Sequence, residues 1–110
     1  MNFVLTRTLP FFLILLASYI LYSIYKVDIY KWFCHSEDNS ASCYVVGLLL
    51  DDMGLPIESQ EYFSLSCELD YGIGCFKMSN LLVDQNPEKS LELLEKACEL
   101  NHEVSCEALR

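Results

Sequence analysis

Basic side chains are scarce in this chain of 110 residues, which has 7 lysines and arginines against 16 aspartates and glutamates. The shortage is greatest from Cys34 onward, where four basic residues stand against fifteen acidic ones and the formal net charge is −11. Proteins that bind nucleic acids neutralise phosphates with clustered lysine and arginine. The composition therefore argues against a nucleic-acid partner, and the acidic residues are interpreted as the solvated faces of helices.

The chain also lacks the CxxC pairs that are typical of structural zinc sites. Cys98, His102 and Cys106 do recur every four residues and would share one face of an unbroken helix. A structural zinc site needs a fourth ligand, and no residue at a comparable spacing supplies one. We therefore predict no metal and no cofactor, and we interpret His35 and His102 as loop residues.

Motifs of nucleophilic enzymes are poorly represented. A Ser-x-x-Lys string runs from Ser23 to Lys26, but no Ser-Asp-Asn or Lys-Thr-Gly sequence accompanies it. The string also lies at the end of an apolar segment. Neither histidine has a serine and a carboxylate at a spacing that indicates a triad. The sequence therefore leaves any catalytic residue unknown.

Charge is absent from Leu9 to Tyr25, a run that approaches the ~20 apolar residues needed to span a bilayer. A cleavable signal peptide would need small residues after such a run. Ala17 and Ser18 are the nearest small residues, and they lie inside it. We therefore expect residues 1–33 to form an uncleaved signal-anchor with a juxtamembrane helix, and cleavage as a signal peptide is the alternative.

Six cysteines make an even set in residues 34–110, at Cys34, Cys43, Cys67, Cys75, Cys98 and Cys106. Disulfides would stabilise an exported domain of this size, whose core is small. Six thiols allow fifteen complete pairings, so the connectivity is open. The short gaps favour local bonds, which are Cys34 with Cys43, Cys67 with Cys75 and Cys98 with Cys106. Disulfides need an oxidising compartment, so we expect this part to face the periplasm or the exterior.

Part of the chain repeats. Pro56–Cys67 and Pro87–Cys98 have the same length, and Cys67 and Cys75 recur at the same offset as Cys98 and Cys106. A period of about 30–40 residues with two helices per unit is typical of an α-solenoid. We therefore expect residues 34–110 to form a short all-α solenoid of about two full repeats with partial ends.

The repeat pattern also predicts element bounds and buried faces. Helices are predicted over residues 43–52, 56–67, 75–84 and 87–98 and from residue 104, after a loop and an N-cap over His35–Ser42. The predicted apolar faces contain Ile57, Tyr62, Phe63 and Cys67 in one unit and Leu91, Leu94, Ala97 and Cys98 in the next.

Ser66–Leu82 and Lys96–Cys106 resemble the Sel-like repeats, relatives of the tetratricopeptide repeat, in the cysteine-rich form known as the Helicobacter cysteine-rich protein family. The resemblance covers residues 34–110. It implies a disulfide from the end of one helix to the start of the next, which is the local pairing. This chain departs from the family pattern in its shorter units, and the family's Leu-Gly appears only as Val46-Gly47 and Met78-Ser79.

The repeat pattern predicts an interaction module that binds a protein or a cell-wall-derived ligand. The resemblance implies a different activity, because members of the family are described as penicillin-binding proteins or weak β-lactamases. No catalytic motif in the residues supports that chemistry, which rests on family likeness alone. We therefore expect an exported helical repeat protein, membrane-tethered or secreted, that binds a partner, with the hydrolase as the alternative.

Overall fold

The computed structural model describes residues 2–110, which form α-helices joined by short turns. The helices are α1 Asn2–Ser36, α2 Ser40–Asp52, α3 Pro56–Glu68, α4 Gly72–Leu82, α5 Pro87–Glu99 and α6 Glu103–Ala108. No strand occurs within this range. The prediction of an all-α fold that begins with a long apolar helix is confirmed.

Each helix makes its main contacts with the next helix along the chain. α2 with α3 and α4 with α5 form helical hairpins, whereas the other consecutive pairs are joined by disulfides. Residues 2–25 of α1 are exposed along their whole length. The molecule is elongated, with extents of 67 × 27 × 25 Å, because α1 projects beyond the five packed helices that follow it.

Proline and asparagine fix the helix starts. Pro56 and Pro87 occupy the first turns of α3 and α5, where a missing N–H removes no intrahelical hydrogen bond. The Asn86 side chain accepts a hydrogen bond from the Lys89 N–H at 3.1 Å, and Asn39 caps α2 in the same way. These caps satisfy backbone donors that have no partner within their own helix.

Residues with left-handed backbone follow α1, α3 and α5. Asp70 follows α3 with φ of 63° and Asn101 follows α5 with φ of 67°, while Asp38 after α1 has φ of 47°. Aspartate and asparagine adopt this region more readily than other side chains. After α3 and α5 the next N–H donates to a carbonyl five residues back, at 3.1 and 3.0 Å. These two turns therefore share one backbone conformation at equivalent positions of the two units.

The connection between α1 and α2 is shorter than the sequence predicts. The loop and N-cap predicted over His35–Ser42 are present only at residues 37–39, with Asn39 as the N-cap, and the extent of the predicted loop is wrong because residues 35–36 and 40–42 are helical. α1 passes through the expected domain boundary at residue 33 and ends at Ser36. Cys34 is buried and bonded to Cys43, so tertiary contacts that composition does not reveal hold the last turn of α1.

Small residues lie where the helices of a hairpin cross. Ser59 and Ser90 are only 1% and 6% exposed, whereas Ile57 and Leu91 are 77% and 50% exposed. The prediction that Ile57 and Leu91 belong to the buried faces is therefore wrong. The physical reason is close approach of the helices, because the Ser59 hydroxyl donates to the Gly47 carbonyl of α2 at 2.9 Å.

A similar crossing recurs between α4 and α5. The Ser79 hydroxyl donates to the Ser90 carbonyl at 2.8 Å, and the Ser90 hydroxyl donates to the Ser79 carbonyl at 2.7 Å. Ser90 holds the same place after Pro87 as Ser59 holds after Pro56, and Ser79 takes the part of Gly47 on the preceding helix. Fully buried apolar side chains pack around the first crossing, namely Val46, Leu50 and Phe63. The two hairpins thus pack in nearly the same register.

Candidate functional site

All six cysteines form disulfides, and each bond joins the end of one helix to the start of the next. The bonds are Cys34–Cys43, Cys67–Cys75 and Cys98–Cys106, with Cα–Cα distances of 4.8, 4.5 and 4.7 Å. They are the local pairs that the spacing favours. Each closes a short loop and contributes roughly 2–3 kcal/mol in the chain-entropy account of disulfide stability. The end of α1 is therefore bonded to its successor in the same way as the ends of α3 and α5.

The disulfides also bear on a metal site at Cys98, His102 and Cys106. The two sulfurs are bonded to each other, so neither is a thiolate ligand. Within residues 2–110, no group of three or more His, Cys, Asp or Glu side chains is placed to hold a metal ion. His102 instead precedes α6, and its Nδ1 lies 2.7 Å from the Ser105 hydroxyl. These residues form a connection between helices.

Two serines are the obvious places to look for a nucleophile. Ser23 lies on the exposed part of α1, three residues before the first residue of that helix to become half-buried. Ser105 contacts His102, but its side chain is 0% exposed, so a substrate has no access to the hydroxyl. A nucleophilic serine needs an accessible hydroxyl, a base and a group that orients the base. Neither arrangement meets those requirements.

A groove with a volume of about 400 Å³ lies between α3 and α5. Three helices line it, through Ser64, Glu68, Met78, Leu82, Lys89, Glu92, Leu93 and Lys96. Its apolar side chains come from α4 and α5, and charged side chains of both signs surround them. Lys89 pairs with Glu92 at 3.2 Å, and Lys96 approaches Asp70 at 3.6 Å. A pocket of this kind offers apolar contact together with a few charged groups that fix orientation.

A second and more open groove, of about 590 Å³, lies between α3 and the end of α1. Its lining is His35, Ile57, Gln60, Glu61, Tyr62, Ser64, Leu65 and Glu68. The His35 Nε2 lies 3.0 Å from the Tyr62 hydroxyl, and the Lys31 ammonium lies 5.9 Å from the centre of the Tyr62 ring. Ser64 and Glu68 line both grooves. We call the surface that carries the two grooves the α3 face.

Two phenols of the packed helices are held neutral. Burial raises the pKa of Tyr62 above its ordinary value of 10.0, and the negative charges of Glu61 and Glu58 raise it further. Burial also raises the pKa of Tyr44, with Tyr71 as the second cause. Burial disfavours the charged phenolate. Tyr62 is therefore a neutral hydrogen-bonding group beside His35 at physiological pH.

The sequence interpretation missed the α3 face and the buried serines. A signal for the serines is present, because Ser59 and Ser90 each lie three residues after the proline that opens their helix. No comparable signal marks the contact of His35 with Tyr62, which joins residues 27 positions apart. The prediction of a loop at His35 is wrong, because this residue lies in the last turn of α1.

The fold and the candidate site together define a broad structural class of protein. The protein is all-helical, is cross-linked by three disulfides and carries, within residues 2–110, one helix long and apolar enough to cross a membrane. Among protein-family models, curated proteins and solved structures, none matches this chain. The assignment to this structural class therefore depends only on the chain's own sequence and structure.

Proposed function

We propose that the chain is a membrane-tethered helical repeat protein of the Sel-like kind, whose α3 face binds a protein or a cell-wall-derived ligand. The observation that carries the proposal is the continuity of α1. This helix runs without a break from an exposed apolar segment into a disulfide-bonded helical array. An apolar segment of this length suits a bilayer span. Disulfides persist in oxidising compartments. The array accordingly faces the periplasm or the exterior.

Three recurrences support the repeat architecture. The last two disulfides, the left-handed turns after α3 and α5 and the buried serines Ser59 and Ser90 all recur at the offset that separates Pro56 from Pro87. In a solenoid each unit packs against its neighbours in sequence. The main contacts in this chain likewise join consecutive helices. The end of α1 occupies the place of a second helix, because Cys34 is bonded as Cys67 and Cys98 are.

The α3 face supports the assignment of a binding function. The groove between α3 and α5, which we call the inner groove, combines the apolar side chains of Met78, Leu82 and Leu93 with carboxylates and ammonium groups. Surfaces of repeat proteins that bind partners use such extended faces. The excess of acidic residues in this part of the chain opposes a nucleic-acid ligand. A protein segment or a cell-wall-derived ligand fits this chemistry better.

Membrane fractionation with thiol mapping tests the tether. The full chain is expected to stay in the membrane fraction after alkaline carbonate extraction. Its cysteines are expected to resist alkylation until a reductant is added, because all six are in disulfides. Release by carbonate, or alkylation of six thiols in the untreated protein, would contradict the proposal.

Site-specific photo-crosslinking in intact cells tests the binding surface. A photoreactive residue in place of Glu92 reports on the inner groove, and one in place of Glu95 is the matched control on the same helix, outside that groove. We expect a discrete adduct from position 92 and none from position 95. Equal adducts from both positions, or none from either, would refute binding at the inner groove of the α3 face.

Hydrolysis is the outcome that would replace this proposal. The oxidised full chain is incubated with a chromogenic β-lactam, beside a Ser23→Ala variant. We expect no turnover above buffer, because Ser23 lies in the part of α1, residues 2–25, that is exposed along its whole length. Turnover that Ser23→Ala abolishes would establish the hydrolase instead.

A further inference from the structure

The position of the helical array along α1 follows from which residues of α1 the other helices cover. We call this position the height of the array. Residues 2–25 are exposed, Lys26 and Tyr30 are half-buried, and Cys34 is buried. The covered stretch therefore begins immediately after the apolar run ends at Tyr25. At 1.5 Å per residue it is about 12 Å long. The array thus starts where the apolar segment stops.

Because α1 packs mainly against α2, we infer that α2 runs back along this stretch toward the apolar segment. It begins beside Cys34, through the disulfide to Cys43, and the half-buried stripe of α1 extends from that point down to Lys26. From Cys43 to Asp52 is about 14 Å at 1.5 Å per residue. The same distance back from Cys34 along α1 reaches Tyr25. The turn between α2 and α3 consequently lies beside the end of the apolar segment.

Helix α3 gives a second estimate of the same height. Tyr62 contacts both Lys31 and His35, so it lies beside the last turns of α1. Ser59 of α3 bonds to Gly47 of α2, and Phe63 lies against the same glycine and against Tyr44, so the two helices run antiparallel. The start of α3 therefore returns to the level of residues 27–29 of α1, within about two turns of the apolar segment.

The two ends of the array differ in polarity. The end next to the apolar segment carries exposed apolar residues in or beside both hairpin turns, with Met53 60%, Leu55 38%, Ile57 77%, Leu81 37% and Val83 54% exposed, although the α4–α5 turn also contains polar residues 84–86. At the opposite end the exposed turn residues are mainly polar, namely Glu37, Asp38, Asn39, Asp70 and Asn101, and the exposed apolar residues beside the turns are fewer, with Ile73 37% and Val104 54% exposed. Exposed apolar side chains gathered at one end indicate contact with an apolar phase.

We propose that the α2–α3 turn lies in the boundary between headgroups and acyl chains of the bilayer that α1 crosses, with Met53, Leu55 and Ile57 inserted. This proposal rests on the membrane tether proposed above. Asp51 and Asp52 precede the turn and stay among the headgroups. Their charge opposes anionic lipids, so the contact is stronger in zwitterionic bilayers. The lipid surface is thus a second binding partner, separate from the ligand of the α3 face.

Tryptophan quenching by brominated lipids measures the depth of each position. The single tryptophan, Trp32, is first replaced by phenylalanine, and one reporter is then introduced in the full, oxidised chain reconstituted in vesicles. The reporters are Met53→Trp and Ile57→Trp in the turn, Leu16→Trp within the apolar run and Glu37→Trp at the opposite end. All four positions are exposed, so each variant is expected to fold.

We expect Leu16→Trp and both turn reporters to lose most of their emission to lipids brominated near the headgroup or along the chain, with the turn reporters quenched best by the shallow bromine. Glu37→Trp is expected to keep its emission. Quenching at Leu16→Trp without quenching at Met53→Trp and Ile57→Trp would overturn the insertion and leave the tether standing. No quenching at Leu16→Trp would overturn the tether, and equal quenching at Glu37→Trp would overturn the orientation.

Discussion

Gly74→Ala tests how closely α3 and α4 approach each other. A Cβ at position 74 would lie 2.9 Å from the Ser66 Cβ and 3.2 Å from the Cys67 backbone nitrogen. Non-bonded carbon atoms prefer separations of about 3.5–4.0 Å. The two helices are bonded at this point by Cys67–Cys75, with a Cα–Cα distance of 4.5 Å, so they cannot separate without moving their hairpins.

The expected cost follows from two opposing effects. Added volume in a packed site costs about 1–3 kcal/mol. Replacing a helical glycine by alanine returns up to about 1 kcal/mol, and less in the first turn of α4, where residue 74 lies. We expect the free energy of unfolding to fall by about 1–2 kcal/mol. For a domain of this size each kcal/mol lowers Tm by roughly 4–8 °C.

The assay is urea unfolding of the full chain in detergent with its disulfides intact, followed by circular dichroism. Gly72→Ala is the matched control, because its Cβ would meet its nearest atoms at 3.3, 3.4 and 3.5 Å, and its effect should stay within about 0.5 kcal/mol. Ser66→Gly should restore part of the stability lost in Gly74→Ala, since Ser66 supplies the closest atoms. The Ser66 hydroxyl is buried and has no hydrogen-bond partner within residues 2–110, so its removal breaks no hydrogen bond there.

Two results would refute this reasoning. Equal stability of Gly74→Ala and Gly72→Ala would mean that α3 and α4 are farther apart than described. An effect of Ser66→Gly that is the same with Gly74 and with alanine at that position would mean that the two residues do not interact, because a double-mutant cycle isolates their coupling.

Three further predictions concern the crossings, the disulfides and the phenols. Ser90→Ala should lower the free energy of unfolding by about 1–2 kcal/mol, because the Ser79 carbonyl loses the hydroxyl that donates to it. Leu91→Ala should lower the free energy of unfolding by less, because Leu91 is 50% exposed. Urea unfolding of both variants tests this. Removing Cys67–Cys75 by paired alanine substitutions should lower Tm more than removing Cys98–Cys106. The reason is burial, because the first pair is 4% and 0% exposed whereas the second pair is half-buried at the end of the array. Equal Tm values for the two variants would contradict this prediction. The pKa of Tyr62 is raised in the folded chain, so the stabilising effect of this side chain is full below pH 10.0 and is lost as the pH rises from there through the folded pKa. Tyr62→Phe should therefore reduce the loss of stability at alkaline pH. Ultraviolet titration should show that one late-titrating phenol is missing in that variant.

Most helices were predictable because the chain marks them with local chemistry. Pro56 and Pro87 open helices, and the apolar periodicity identifies Phe63 and Ala97 as buried. The crossings were not predictable by hydropathy, which ranks side chains by transfer out of water. At Ser59 and Ser90 the deciding property is size, because the helices approach until a hydroxyl meets a carbonyl. A hydropathy criterion therefore selects Ile57 and Leu91, which the structure exposes.

The α3 face was not predictable for a different reason. Its grooves are formed by side chains from several helices, and their positions depend on how consecutive hairpins are turned relative to one another. His35 illustrates this, because its contact with Tyr62 requires that α1 remain helical beyond Cys34. The sequence places a polar loop at that point. In the structure the disulfide to Cys43 and the cap at Asn39 fix the start of α2, so the connection between α1 and α2 has only three residues.

Composition divides the chain near residue 33, whereas the helix does not. Charge is absent from Leu9 to Tyr25, yet Lys26, Tyr30 and Cys34 are already covered by the array while α1 continues unbroken. α1 therefore serves both as the apolar segment and as the first helix of the packed array, with no linker between the two. For a chain whose α1 crosses a membrane, this junction fixes the height and the direction of the α3 face, because a rotation of the array requires a rotation of α1 itself. A ligand of the α3 face would then meet it at one defined orientation to the bilayer.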